Sequence, residues 1–225
     1  MKKIHYLFYF CLLFSCKHDV LNKKETPFDD LEKVEESGNI ASLSNVKISN
    51  DFENWLITNG YSNYNFTRND ISGGSFGGKK NASQLIKKQP VIFIHGNGDK
   101  ATGTIFGQNG WTKSINYFKA KGYTNAELYA TTWGDANMSN ASQKYHSKAY
   151  LLYVRKFIEA VLDYTDAEKV DIITHSMGVT LTRKAIKGGV AFDDVENVFF
   201  DLGMPLTNKI DAFVGIAGAN KGLTS

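Results

Sequence analysis

The chain has 225 residues, 42% of them hydrophobic, 13% aromatic and 22% charged, with 20 glycines and 3 prolines. That supply of Val, Ile, Leu and Phe builds a core and excludes a chain disordered throughout, and the length suits one ordinary domain with additions. The formal charge of +3 falls to +1 once Lys2 and Lys3 are set aside with an N-terminal targeting segment (24 basic against 23 acidic), so no concentrated basic face for nucleic acid is expected.

Residues 1–16 read as that targeting segment. A basic start, Met1-Lys2-Lys3, precedes an apolar run from Ile4 to Phe14 that is too short to span a bilayer. The run ends in Leu13-Phe14-Ser15-Cys16, which resembles the lipobox of bacterial lipoproteins, where the cysteine becomes the lipidated first residue. An ordinary secretory signal cleaved nearby fits the same segment. Either reading sends the protein out of the cytoplasm, secreted or held at the cell surface through lipid on Cys16. Cys11 and Cys16 are the only cysteines, so cleavage leaves no disulfide framework.

Residues 17–50 are polar with mixed charge and read as a tether, leaving 51–225 as the folded domain. The run Gly73-Gly74-Ser75-Phe76-Gly77-Gly78 lacks the Gly-Lys-Ser/Thr ending of a phosphate loop and is expected to be a flexible loop packing over the domain.

From Pro90 the pattern becomes regular. Val91-Ile92-Phe93-Ile94 is a continuous apolar run, as a parallel strand covered on both faces requires. Trp111, Ile115 and Phe118 recur at helical spacing before Gly122, and Glu127–Thr132 reads as a strand. Leu151, Val154, Ile158 and Val161 mark one face of a helix over 147–164. A strand at Val170–Thr174, a helix at Met177–Lys187 closed by Gly188-Gly189, and a strand at Ala212–Ile216 complete the series. Strands alternating with helices define an α/β fold: a mostly parallel sheet with helices on both faces.

Open sheets of this kind place ligands at the C-terminal ends of their strands. One such end is His95-Gly96-Asn97-Gly98-Asp99, and another is Thr174-His175-Ser176-Met177-Gly178. A serine between strand and helix with small neighbours two residues either side is a nucleophile elbow, whose strained turn lifts Oγ clear of the sheet. Gly178 fits the pattern, whereas Thr174 stands where glycine or alanine is usual. Acyl transfer passes through an oxyanion, and two N–H groups aimed at it contribute about 3 kcal/mol or more. Met177, at the start of a helix, and Asn97, on a loop kept close by Gly96 and Gly98, are the candidate donors. His95 and His175 are expected to orient the loops without taking part in proton transfer.

Pro90–Asn97, Gly122–Asp135, Val170–Gly178 and Ala217–Asn220 together resemble the class 2 lipases, secreted α/β-hydrolases acting on carboxylic esters. The resemblance reaches back to Asp51–Leu56 and Gly74–Gly78, so it covers about 50–225. His95-Gly96-Asn97 with His175–Gly178 is also similar to extracellular polyhydroxybutyrate depolymerases. The family implies Ser176 as nucleophile with Asn97 and Met177 as the oxyanion hole, a lipid or other ester as substrate, and no metal or organic cofactor. Two other functions fit the same residues: a polyester depolymerase, and a non-catalytic surface lipoprotein holding acyl chains or polymer in a degenerate cleft. All five histidines precede Ser176, although α/β-hydrolases order serine, acid, histidine along the chain. The chain is therefore expected to be a piece of a longer enzyme, with the triad acid and histidine beyond Ser225 and a sheet edge left unpaired.

Overall fold

A computed structural model describes residues 47–105 and 107–221. The targeting segment, Cys16 and nearly all of the tether lie outside the described residues.

The five-stranded sheet grows from the apolar runs. Strand β2 (Val91–Ile94) lies at its centre with all four residues buried, flanked by β5 (Leu128–Thr131) and β6 (Val170–His175), both parallel to it. Strand β9 (Ile210–Ile216) adds parallel to β6 at one edge. At the other edge β1 (Ser75–Phe76) pairs antiparallel with β5, giving the order β1-β5-β2-β6-β9.

Both faces are covered, which is why β2 needs no polar alternation. Val91 and Phe93 join Leu128, Ala130 and Phe76 in a cluster with Trp111 and Ile115, on the side of helix α2 (Thr112–Ala120). Ile92 and Ile94 face the larger cluster, built from α1 (Asn50–Thr58), α3 (Lys148–Thr165) and α4 (Met177–Lys187). Arg155, 4% exposed, ties two of these helices together. It pairs with Glu159 at 2.7 Å and donates to the carbonyls of Ala185, 3.0 Å, and Met204, 2.6 Å.

One expectation needs correcting, and further elements lie beyond the sequence reading. The glycine-rich stretch is not a flexible loop: Ser75 and Phe76 are fully buried, and Ser75 Oγ accepts from the Ile48 amide at 3.1 Å while donating to the Thr67 carbonyl at 2.6 Å. Its glycines serve close approach, since a side chain at Gly77 (φ +113°) would run into the Leu128 carbonyl of β5. The residues before β2 also hold a helix, α1, capped by Ser49, whose Oγ accepts from the Phe52 amide at 3.1 Å. Phe52 then stacks on Tyr164 at 4.4 Å and meets Tyr129 edge-on at 5.5 Å. The stretch after α4 also forms structure of its own. It is a hairpin of β7 (Val190–Asp193) and β8 (Val198–Asp201), placing Asp193 and Asp201 in strands. Asp193 is buried and accepts the Lys148 amide at the start of α3 at 2.7 Å. A second hairpin, β3 (Thr102–Ile105) with β4 (Gln108–Gly110), follows β2.

Among the described residues no helix is long and apolar enough to cross a membrane.

Candidate active site

Strands β2, β5 and β6 end together, and the loops leaving them meet at Ser176. That residue has φ +52° and ψ −126°, outside the regions an L-residue normally occupies. The strain is held from both sides. The Ser176 amide donates to the Ile216 carbonyl of β9 at 2.9 Å, and its own carbonyl accepts from the Val179 amide at 3.1 Å. Thr174 fits the tight turn because its hydroxyl turns aside and donates to the Val214 carbonyl at 3.1 Å. The next residue, Met177, opens α4, so its N–H is one of the first-turn donors without an intrahelical acceptor, at the positive end of the helix dipole.

Gly96 brings the β2 loop against this turn. A Cβ on Gly96 would stand 2.9 Å from His175 Nδ1 and 3.0 Å from Ser176 Cβ. Asn97 follows at once. Its side-chain amide donates to the Ala141 carbonyl at 2.7 Å, which turns the side chain toward the 3₁₀ turn Met138–Gln143. Gly98, φ +73°, lets Met138 close over the loop. Gln108 spans the gap between strand ends, donating to the Gly98 carbonyl at 2.9 Å and the Ala136 carbonyl at 2.5 Å.

His95 is 1% exposed and both ring nitrogens are engaged. The Trp133 amide donates to Nε2 at 3.1 Å, so Nδ1 carries the proton and donates to the Gly96 carbonyl at 2.7 Å. Trp133 also stacks parallel on the ring at 5.4 Å, and its indole N–H donates to the His95 carbonyl at 2.9 Å. Burial lowers the imidazole pKa to about 4, so the ring is neutral and unavailable as a proton acceptor. His175 is exposed at the end of β6. His146 Nε2 lies 2.8 Å from the Thr180 hydroxyl, which itself donates to the Met177 carbonyl at 3.1 Å, so the imidazole N–H is the donor to Thr180.

Two carboxylates frame the loops. Burial raises the Asp99 carboxyl above its ordinary range, although Oδ1 accepts from the amides of Lys100, 2.8 Å, and Gly110, 3.2 Å. Asn140 and Lys144 hold Asp135 well down, at about 2. Among the described residues no group of three or more His, Cys, Asp or Glu is arranged to hold a metal ion.

Ser176, Met177, Gly178, Gly96, Asn97, His95 and His175, all singled out from sequence, thus come together at one end of the sheet. Sequence reasoning missed Trp133, Gln108 and Arg68, which hold these loops from a distance. A tryptophan followed by Gly134-Asp135 just past a strand end was the one visible signal.

A mostly parallel sheet with helices on both faces and a strained serine at a strand–helix turn is an α/β-hydrolase fold. The profile of Lipase (class 2) matches residues 88–225, and the chain belongs to that family. Among solved structures it is similar to lipase B of Aspergillus fumigatus, with 18% identity and a TM-score of 0.42. The match covers 72% of this chain and 32% of that one, so the chain spans about a third of that enzyme's length.

Proposed function

We propose that this chain carries the nucleophile and the oxyanion hole of a serine carboxylic-ester hydrolase acting on lipid esters. The strained backbone of Ser176 beside Gly96 is the observation that carries the reading. Ser176 Oγ adds to the ester carbonyl while its proton passes to a general base, a role for which His95, with both ring nitrogens engaged, is not free. The carbonyl oxygen takes the negative charge and is held by the N–H groups of Asn97 and Met177. Collapse expels the alcohol, which takes the proton, and leaves an acyl group on Oγ. Water then attacks the acyl carbon and releases the acid. Family membership supports the same assignment. A fluorophosphonate probe on the full-length protein tests it: label should map to Ser176, and Ser176→Ala should remove label and about 10⁴-fold of ester hydrolysis. A folded protein that takes no label would leave the non-catalytic acyl- or polymer-binding reading in its place.

The same proposal places the enzyme outside the cytoplasm. Lipid on Cys16 would anchor it, with residues 17–50 as spacer. Labelled palmitate should enter the protein in a bacterial host, and Cys16→Ser should abolish both labelling and membrane association. Soluble, unmodified protein would leave plain secretion.

A further inference from the structure

We propose that Arg68 is a positioning residue for the oxyanion-hole loop, acting through Trp133 and His95. The inference rests on reading the Asn97 N–H as an oxyanion donor. Arg68 lies in the segment before β1, outside the stretch matched by the family profile. Its guanidinium is almost buried, with the side chain 10% exposed. Nε and Nη2 make a two-pronged pair with Asp70 at 2.8 and 2.7 Å. That pairing aims Nη1 away from its own loop, and it donates to the carbonyl of Thr132 and to that of Gly134 at 2.7 Å. These two carbonyls flank Trp133, so one nitrogen fixes the backbone on both sides of it. A lysine could not do this, because a single ammonium cannot keep the Asp70 fork and both carbonyls in plane.

Trp133 passes the constraint on. Its amide donates to His95 Nε2 and its indole to the His95 carbonyl, which selects the Nδ1–H tautomer. Nδ1–H then holds the Gly96 carbonyl. A trans peptide points its C=O and the following N–H in opposite directions. Holding the Gly96 carbonyl against the imidazole therefore turns the Asn97 N–H away from that buried ring. If the ring flipped to the other tautomer, Nδ1 would face the Gly96 carbonyl lone pair to lone pair, and the peptide would rotate. The relay is made of hydrogen bonds in one direction, and its last acceptor, the Gly96 carbonyl, also takes the Asp99 amide at 3.3 Å.

The test uses full-length protein carrying Arg68→Met, Arg68→Lys or Trp133→Phe, with two independent readouts. Nitrogen NMR of the His95 ring reports the tautomer, and the rate of Ser176 labelling by a fluorophosphonate reports the reaction. Arg68→Met should lose the single Nδ1–H tautomer and slow labelling about 10- to 100-fold, with apparent affinity for the probe unchanged. Arg68→Lys should recover part of the rate, and Trp133→Phe should slow labelling while leaving Arg68 in place. Should Arg68→Met fail to fold, Arg68→Lys decides the matter by the same readouts. An unchanged tautomer in a folded Arg68 variant overturns the relay, whatever the rate does; Trp133→Phe keeps the backbone amide on Nε2 and is read by its rate alone. A changed tautomer with an unchanged rate overturns Asn97 as the oxyanion donor and with it the positioning role. Absence of label on the wild type overturns the nucleophile reading instead, and the ring signals alone then decide the relay.

Discussion

Gly178 and His95 meet backbone to backbone: a Cβ on Gly178 would run into the His95 carbonyl oxygen and stand 3.0 Å from that of Ile94. Helix α4 therefore starts directly against the end of β2, which is how the elbow and the oxyanion loop come to share one site. Replacing a helical glycine by alanine ordinarily stabilises by up to about 1 kcal/mol. Here the sign should reverse. Gly178→Ala should lower stability by about 1–3 kcal/mol, because two main chains must move apart. The urea midpoint should fall with an unchanged slope, and Ser176 labelling should fall with it.

The elbow backbone makes a second substitution informative. Ser176→Ala and Ser176→Gly should both abolish labelling, yet differ in stability. Alanine keeps a Cβ at φ +52° and so keeps the strain, whereas glycine accepts that conformation freely. The glycine variant should be the more stable of the two by about 1 kcal/mol, read as a higher melting temperature.

His95 should give the protein an acid-sensitive stability. Its imidazole stays neutral in the fold down to about pH 4, against an ordinary value of 6.5 in the unfolded chain. Between those values the unfolded chain binds a proton that the folded one refuses, so stability is full above about pH 6.5 and is lost as pH falls toward 4. The loss should be about 3 kcal/mol from this group, measured by urea unfolding across that range. His95→Gln, already destabilised at pH 7, should show a flatter dependence, and an equally steep one would show that other groups are responsible.

His146 should be dispensable for chemistry. Its Nε2–H donates to Thr180, whose hydroxyl holds the Met177 carbonyl, which ties the ring to helix α4 through that nitrogen. His146→Ala should leave phosphonate labelling within about two-fold of wild type and cost about 1 kcal/mol of stability for the lost hydrogen bond. A loss of several hundred-fold would make it the general base.

What could be read from the sequence was whatever is local and periodic. Val91–Ile94 announces a buried strand by itself, and the four-residue recurrence of α3 and the strand–Ser–helix punctuation at Ser176 are complete within one window. Strand β1 is two residues long between glycines, so it has no period to detect, and only its partner β5 makes it a strand. The β7–β8 hairpin was hidden because Val190, Phe192 and Phe199 project outward and its tip is acidic, so composition mimics a solvated loop. The site's reacting residues were visible because elbow geometry constrains their immediate neighbours. Their supports were not, since Trp133 reaches His95 across 38 positions and Arg68 reaches Gly134 across 66. No local rule links such pairs.

The antiparallel edge strand and the helix before it separate two boundaries that are easily confused. The family profile matches from residue 88, but the packed structure begins no later than Ile48, which is 1% exposed and bridges to Gly77. A fragment cut to residue 88 would bare the outer edge of β5 and uncover Tyr129 and Tyr164, against which Phe52 now packs. It would also lose Arg68. Such a fragment should be recovered mainly as aggregate, while one beginning at Lys47 should aggregate less and resist protease from Ile48 through Phe76. The stretch by which this chain is recognised is shorter than the stretch that packs.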